Sequence, residues 1–148
     1  MREADFSERI KTVLCERVGG RCSNPKCRRE TLGPHKKVDK RLSIGQAAHI
    51  YAASPDGARY DPRMTNEERA SINNGIWLCS DCHALIDKNS KEYPAEELIK
   101  WKIIAEHEQE CRLKGKELVP FQSQQMERKR HSDLSGIRQS FPRVAPPS

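Results

Sequence analysis

The sequence predicts a small α+β domain in which a strand–strand–helix (ββα) unit is braced by a four-cysteine zinc site and flanked by helices. Two closely spaced cysteine pairs, Cys22 with Cys27 and Cys79 with Cys82, stand far apart in the chain. Two short apolar segments, residues 44–50 and 76–78, have strand character, and a helical pattern follows the second. Only 35% of the residues are hydrophobic, so the core is small and a structural metal ion would add the stability that it lacks.

The spacing of the cysteines indicates how such a metal ion would be held. Two residues separate Cys79 from Cys82 and four separate Cys22 from Cys27. Either spacing lets a pair of thiolates face one tetrahedral zinc ion. The six cysteines would also suffice for three disulfides, but their grouping favours reduced thiolates on zinc. Two cysteines are left over, and we interpret them as small apolar packing residues: Cys15 and Cys111.

A helix is predicted first, over residues 5–18. Its apolar residues recur at helical spacing, Asp5-x-x-Glu8 resembles a capping box, and Gly19-Gly20 ends the pattern. This helix is expected to pack one face onto the zinc domain.

A basic segment follows at residues 28–41. It has few apolar positions, so the sequence predicts an exposed loop there. With a net charge of +6, the chain suits a polyanionic partner. The loop is either a solvated surface or a phosphate-binding one. Its cations are Arg28, Arg29, Lys36, Lys37, Lys40 and Arg41.

The ββα unit comes next. A strand over residues 44–50 carries His49 near its end, and residues 53–57 turn the chain. The capping pattern at Thr65 predicts a short helix to about residue 72. Asn74 and Gly75 then turn the chain into the strand over residues 76–78.

Two further helices are expected. The first, residues 80–88, carries His83 and Asp87 four residues apart and therefore on one face. The second starts with Pro94 at its first position and ends at about Cys111. The sequence divides into a helical segment at 1–20, a zinc-braced domain at 21–111, and a basic tail or linker at 112–148, which is expected to be disordered because it lacks helical or strand periodicity.

These motifs resemble a known family. Ala48-His49-Ile50 and Asn74-Gly75-Ile76-Trp77-Leu78-Cys79-Ser80-Asp81-Cys82-His83 are similar to the HNH endonucleases with zinc knuckles, over residues 21–110 or so. The resemblance implies the ββα-metal nuclease fold. Four segments are most similar to the HNH domains of bacterial anti-phage defence effectors: Ala47-Ala48-His49-Ile50, Ser54-Pro55-Asp56-Gly57, Asn74-Gly75-Ile76-Trp77-Leu78-Cys79 and Ile86-Asp87.

The resemblance implies metal-dependent hydrolysis of DNA phosphodiester bonds and gives each residue a role. His49 would act as the general base that takes a proton from water. His83 would bind a catalytic Mg²⁺ or Mn²⁺ ion at the scissile phosphate, with Asp87 adding a carboxylate ligand. Asn74 would hold the loop that orients His49. The structural zinc would be bound by Cys22, Cys27, Cys79 and Cys82.

The residue before His49 departs from a common family pattern. Many HNH enzymes carry a metal-binding Asp or His there, whereas this chain has Ala48. An alternative function is therefore a non-catalytic zinc module that binds nucleic acid through the basic segment. A weaker alternative is a protein-interaction adaptor.

The expected partner is DNA, as a duplex and with little sequence specificity, and a fused or associated sensor domain is typical of the defence proteins. The chain has neither an apolar run of membrane-spanning length nor a signal-peptide pattern. It is therefore expected to be cytoplasmic and not bound to a membrane.

Overall fold

The computed structural model describes residues 3–118, which contain four helices and two small antiparallel sheets. The helices are α1 (Glu8–Glu16), α2 (Asn66–Arg69), α3 (Ser80–Lys88) and α4 (Ala95–Leu113). The strands are β1 (Leu32–Pro34), β2 (Arg41–Ser43), β3 (Gly45–His49) and β4 (Gly75–Cys79). The predicted α+β fold class is confirmed, and β3, β4 and α3 form the predicted ββα unit.

The sheet of β3 and β4 lies at the centre of the domain. The two strands pair from Gly45 opposite Cys79 to His49 opposite Gly75, and every residue of β4 is buried. Successive side chains of a strand point to opposite faces. Ala48 accordingly packs into the main core, whereas Ala47 packs against a second buried cluster. The second cluster consists of Cys15, Val18, Trp77 and Ala105.

α1 packs on this sheet as predicted, but it begins later than the sequence suggested. The first helical residue is Glu8, and the cap is Ser7, whose Oγ accepts a hydrogen bond from the Ile10 N–H at 3.2 Å. The predicted capping box from Asp5 is therefore wrong. The predicted stop is confirmed, because Gly19 and Gly20 have φ angles of 62° and 73°, which residues with a side chain rarely adopt.

The basic segment is not a simple exposed loop, because it contains the β1–β2 hairpin. Leu32 pairs with Ser43 and Pro34 with Arg41, which leaves residues 35–40 as the connecting loop. Arg28 lies outside the hairpin and has a structural role. Its guanidinium forms two hydrogen bonds with the carboxylate of Glu108, at 2.9 and 3.0 Å, and only 17% of its side chain is exposed.

α4 fixes several segments at once. Its Glu108 binds Arg28, as described above. Its Glu106 accepts two hydrogen bonds from Arg17, at 2.9 and 2.6 Å, and these connect α4 to the end of α1. Lys102 Nζ donates to the backbone oxygens of Ile72 and Gly75 at 2.6 and 2.7 Å. The helix thereby supports the turn that leads into β4.

The remaining helix boundaries differ slightly from the predictions. The capping box at Thr65 is confirmed, but α2 ends at Arg69 and a separate 3-10 turn follows at Ile72–Asn74. Pro94 is the N-cap of α4 rather than its first residue. The predicted tail lies largely outside the described residues. Within residues 3–118, none of the helices is long and apolar enough to cross a membrane.

Candidate active site and metal centre

The structure brings the four predicted zinc ligands together. The Sγ atoms of Cys22, Cys27, Cys79 and Cys82 all lie within 4.8 Å of one another. The Sγ atoms of Cys27 and Cys79 are 3.9 Å apart. Four thiolates at the usual zinc–sulfur distance of about 2.3 Å would lie about 3.8 Å from one another in a tetrahedron. The cluster therefore fits a zinc ion, and among residues 3–118 it is the one group of three or more such ligands that could hold a metal.

The burial of these thiols means that a cation is needed to stabilise them as thiolates. Burial raises the pKa of the Cys22 thiol to about 11, and it raises the pKa of Cys82 as well. Burial acts in the same direction on Cys79, but hydrogen bonds from Cys82, Cys22 and Cys27 together outweigh it and lower the Cys79 pKa. Without a positive charge beside them, the Cys22 and Cys82 thiols would keep their protons at neutral pH. A zinc ion would compensate the buried negative charge of the thiolates.

The cysteine cluster also determines where α3 begins. Cys79 is the N-cap of α3, and its Sγ accepts a hydrogen bond from the Cys82 N–H at 3.4 Å. The amide of Asn24 donates to Cys82 Sγ at 3.4 Å, which links the two cysteine pairs. The first turn of α3 is therefore held by the same atoms that would bind zinc.

His49 lies at the end of β3 and is held by the N-terminal segment. Its ring stacks on Phe6, with ring centroids 3.9 Å apart and an angle of 11° between the planes. His49 Nε2 lies 2.7 Å from the backbone oxygen of Ala4. A carbonyl oxygen only accepts hydrogen bonds, so Nε2 carries the proton, and a neutral ring has its lone pair on Nδ1. A lone pair on Nδ1 is what a general base requires.

Asn74 does not line the cleft that contains His49. It is 2% exposed and fixes the chain that follows β3. Its Oδ1 accepts from the Tyr51 N–H, and its Nδ2 donates to the backbone oxygens of Tyr51 and Arg69, each at 2.9 Å. The Asn74 backbone oxygen accepts from the Ile50 N–H at 2.8 Å. Both residues directly after His49 are thus hydrogen-bonded to Asn74.

His83 and Asp87 form a pair on α3. His83 Nδ1 is hydrogen-bonded to Gln46 Oε1, and His83 Nε2 lies 3.2 Å from Asp87 Oδ2. Because the oxygen of Gln46 accepts, Nδ1 carries a proton. In a neutral ring, Nε2 then directs a lone pair at a carboxylate oxygen, and such a contact is favourable only with a proton or a cation between the two atoms.

This pair fits a hard divalent cation in both distance and chemistry. Two ligand atoms at adjacent octahedral positions, each about 2.1 Å from Mg²⁺, lie about 3.0 Å apart. A metal-binding imidazole usually donates its other ring N–H to a neighbouring acceptor, as His83 does to Gln46. Burial alone would raise the pKa of Asp87, but its contacts with His83 and Arg59 lower it. The Asp87 side chain is therefore a carboxylate at neutral pH.

Arg59 is the residue that fixes Asp87. The side chain of Arg59 is only 6% exposed, and its Nη2 lies 3.2 Å from Asp87 Oδ1. The same guanidinium donates to the backbone oxygens of Ile50, Ile86 and Tyr93, at 2.8, 2.9 and 3.3 Å. Arg59 therefore connects the chain after His49 to α3.

His49, His83 and Asp87 all line one cleft of about 410 Å³. Asp5, Phe6 and Lys11 contribute to its wall from the N-terminal side, Ala47 contributes from β3, and the loop after β3 contributes the remaining residues. Ala48 does not line this cleft. It is 1% exposed and lies in the main core, so an acidic residue at position 48 of this strand would be buried among apolar side chains.

Sequence reasoning missed four contributions to the site. Gln46 lies on β3, and its polar side chain in an apolar strand was the only available signal. Phe6 was interpreted solely as an apolar residue of the first helix. Nothing in the sequence pointed to the buried Arg59 or to the Ala4 carbonyl, because each acts through contacts between segments distant in the chain.

The family comparison agrees with this arrangement. Residues 21–90 match the model of the HNH endonuclease family. The matched segment is just under half of the 148-residue chain and includes all four cysteines, His49, Asn74, His83 and Asp87. No curated protein is similar enough to the chain to count as a match. The match supports a nuclease function, acting on nucleic acid, for this segment.

The cysteine geometry leads to a prediction about metal content and stability. We expect the purified protein to contain one zinc ion per chain, and Cys79→Ala to lose both the zinc and the cooperative thermal unfolding transition. Structural zinc sites supply free energy for folding, about 10 kcal/mol or more in small domains. Metal analysis and thermal unfolding followed by circular dichroism provide the measurements.

Cys15→Ala is the matched control, because Cys15 is a buried thiol outside the cluster. We expect this variant to keep its zinc and to melt only a few degrees lower, as is typical of a small loss of core volume. A wild-type protein that unfolds cooperatively at the same temperature with and without a strong chelator would contradict a structural role for zinc.

Proposed function

We propose that the HNH-matched domain of this chain is a metal-dependent endonuclease that hydrolyses DNA phosphodiester bonds. The observation that carries the proposal is the single cleft lined by His49, His83 and Asp87. This cleft combines a nitrogen base with a pair of ligands for a divalent cation, which are the groups that phosphodiester hydrolysis needs. The structural zinc is part of the same proposal.

His49 acts as the general base through Nδ1. The hydrogen bond from Nε2 to the Ala4 oxygen fixes the tautomer, so Nδ1 carries the lone pair that would take a proton from the attacking water. Asn74 is a positioning residue, because its hydrogen bonds hold the two residues that follow His49.

His83 and Asp87 would hold the catalytic Mg²⁺ or Mn²⁺. When bound, the cation supplies positive charge at the scissile phosphate and at the leaving 3′-oxygen. Gln46 keeps the proton of His83 on Nδ1 and so leaves Nε2 as the ligand atom. Arg59 holds the Asp87 carboxylate from its other oxygen.

The alternative of a non-catalytic nucleic-acid-binding module retains one argument, which is the absence of an acidic ligand before His49. Its other argument, the set of cations in the basic segment, is weaker in the structure than in the sequence. Arg28 was one of the cations assigned to nucleic-acid binding, but it is engaged with Glu108 inside the fold. The two functions are separated by whether a folded, zinc-loaded protein cuts DNA.

The biological setting rests on the sequence motifs alone. We propose a cytoplasmic effector of bacterial anti-phage defence that acts on duplex DNA with little sequence specificity, with a fused or associated sensor domain. If so, cells that produce the chain together with its native neighbouring genes should reduce phage titre, and His49→Ala should abolish the protection. Equal titres for the two proteins, produced at equal levels, would argue against a defence role.

The catalytic assignment is tested by plasmid cleavage. Wild-type protein with Mg²⁺ or Mn²⁺ should convert supercoiled plasmid to nicked and linear forms, and EDTA should stop the reaction. His49→Ala should lower the rate by a factor of about 100 or more, as expected for loss of a general base. Its zinc content and affinity for DNA should stay close to the wild-type values.

His107→Ala provides the matched control, because His107 is a half-buried histidine on α4 that lies outside the hairpin and does not line the cleft. This control should cut plasmid at the wild-type rate. The assignment is wrong if His49→Ala cuts as fast as the control.

A further inference from the structure

The β1–β2 hairpin is an exposed arm with no evident role in the stability of the fold. All residues from 34 to 43 are exposed, and Val38 in its loop is fully exposed. A two-stranded hairpin of this kind buries little apolar surface and is marginal by itself. The hairpin is held at its base by Thr31, whose backbone oxygen accepts from the Ile44 N–H at 2.8 Å and whose hydroxyl accepts from Trp77 Nε1 at 3.0 Å.

The arm carries a concentrated positive charge. Lys36, Lys37, Lys40 and Arg41 lie in or beside its loop, together with a single acidic residue, Asp39. None of these four cations forms an ion pair with an acidic group within residues 3–118. Arg28, by contrast, is neutralised by Glu108. The hairpin is thus a surface whose charge is not compensated within the described fold.

The hairpin is also connected to the catalytic cleft. A second cleft, of about 490 Å³, is lined by Arg41 and Ser43 of the hairpin and by Gly45 and Gln46 of β3. The two clefts share Lys11 and Ala47, so they adjoin each other along β3. From Arg41 to His49 the chain advances eight residues, at most about 26 Å in extended form. With one phosphate per 3.4 Å of each strand, about eight base pairs of duplex would span this distance.

We propose that this hairpin is the arm that binds the DNA backbone next to the catalytic cleft. The inference rests on the proposed nuclease function and adds the surface that holds the substrate. The occupant is nucleic acid, because uncompensated lysines beside a cleft for phosphodiester chemistry are complementary to a row of phosphates. The lysines contact phosphates, so the binding they provide is independent of sequence and weakens with salt.

The test compares two triple variants that remove the same charge, each made in the His49→Ala background so that the DNA stays intact. The hairpin variant carries Lys36→Gln, Lys37→Gln and Lys40→Gln. The control carries Lys26→Gln, Lys91→Gln and Lys116→Gln, which replace exposed lysines that line neither cleft. Binding to a 30-base-pair duplex is measured by fluorescence anisotropy at several salt concentrations, with zinc content and thermal unfolding as checks of folding.

Each phosphate contact contributes about 0.9 to the slope of log K against log salt, so the hairpin variant should lose about 2.7 from the slope and bind at least about tenfold more weakly at moderate salt. The control should keep its slope to within about one contact. Equal slopes and affinities for the two variants would overturn the proposal. Plasmid cutting by the wild-type chain is scored separately. If the hairpin variant binds DNA more weakly but the wild-type chain cuts no plasmid, the nuclease function alone is refuted. If the wild-type chain cuts plasmid but the hairpin variant binds DNA as tightly as the control, the DNA-binding arm alone is refuted.

A second, independent observation concerns the N-terminal segment. Ala4 and Phe6 are 2% and 3% exposed and lie outside the family-matched residues, yet both contact the His49 ring. Gly75 faces His49 across the sheet, and a Cβ atom there would lie 2.5 Å from Leu14 and 3.1 Å from Phe6. The absence of a side chain at Gly75 therefore gives the N-terminal residues the space to reach His49.

We infer that Phe6 and the Ala4 carbonyl are positioning groups for the general base, an inference that again rests on the proposed function. The carbonyl selects the tautomer with the proton on Nε2, and the Phe6 ring holds the imidazole plane. Each group acts through His49 and takes no part in the proton transfer itself. Loss of Phe6 should therefore reduce turnover more than it reduces DNA binding.

Phe6→Leu in the full chain tests this role, with Val18→Ala as a control that removes similar buried volume from the same part of the fold without contact to His49. Phe6→Leu should lower kcat about tenfold or more at unchanged KM, because a misplaced base loses rate steeply. Nitrogen-15 spectra should show His49 protonated on Nε2 in the wild-type protein and in Val18→Ala, and a mixture of tautomers in Phe6→Leu.

A kcat for Phe6→Leu equal to that of the control, or a wild-type His49 protonated on Nδ1, would overturn the positioning role. The nitrogen-15 result stands even if the wild-type chain cuts no DNA. A failure of the proposed nuclease activity is therefore distinguishable from a failure of the positioning role.

Discussion

The cluster of four cysteines is the constraint on which the rest of the site depends. It joins two segments that more than fifty residues of chain separate, and the intervening residues include β3 and the loop that closes the cleft. One of its members, Cys79, is both the last residue of β4 and the cap of α3. The position of His83 and Asp87 therefore follows from the geometry of the cysteine cluster, because both lie within the first three turns of the helix that begins there.

The second constraint is the alternation of β3. A step of one residue moves a side chain from the cleft side of the strand to the core, so His49 lines the cleft while Ala48 contacts apolar side chains. This explains why the chain has no acidic residue before the proposed base: a buried carboxylate at that point of the strand would lack a partner. The proposed acidic ligand, Asp87, instead lies one helical turn after His83, where Arg59 compensates its charge.

Much of this architecture was predictable, for reasons that differ between elements. Local sequence patterns predict the cysteine pairs, β3, β4 and α3. The capping box at Thr65 is likewise predicted from neighbouring residues alone. The hairpin was missed because its strands bury almost nothing and thus lack an apolar alternation to detect. The role of Arg28 was missed for a different reason. A cation in a basic segment resembles its neighbours until its partner, Glu108, is seen on a helix eighty residues away.

The support of the proposed base extends beyond the segment that the family model matches. Its tautomer depends on the Ala4 carbonyl, and its ring plane depends on Phe6, both upstream of residue 21. On the other side, α4 lies downstream of residue 90, and its Lys102 binds the backbone on both sides of Asn74. Asn74 in turn holds the residues after His49. The matched segment thus contains the proposed reacting groups, whereas the elements that fix their geometry come from both flanks, from the N-terminal segment to α4.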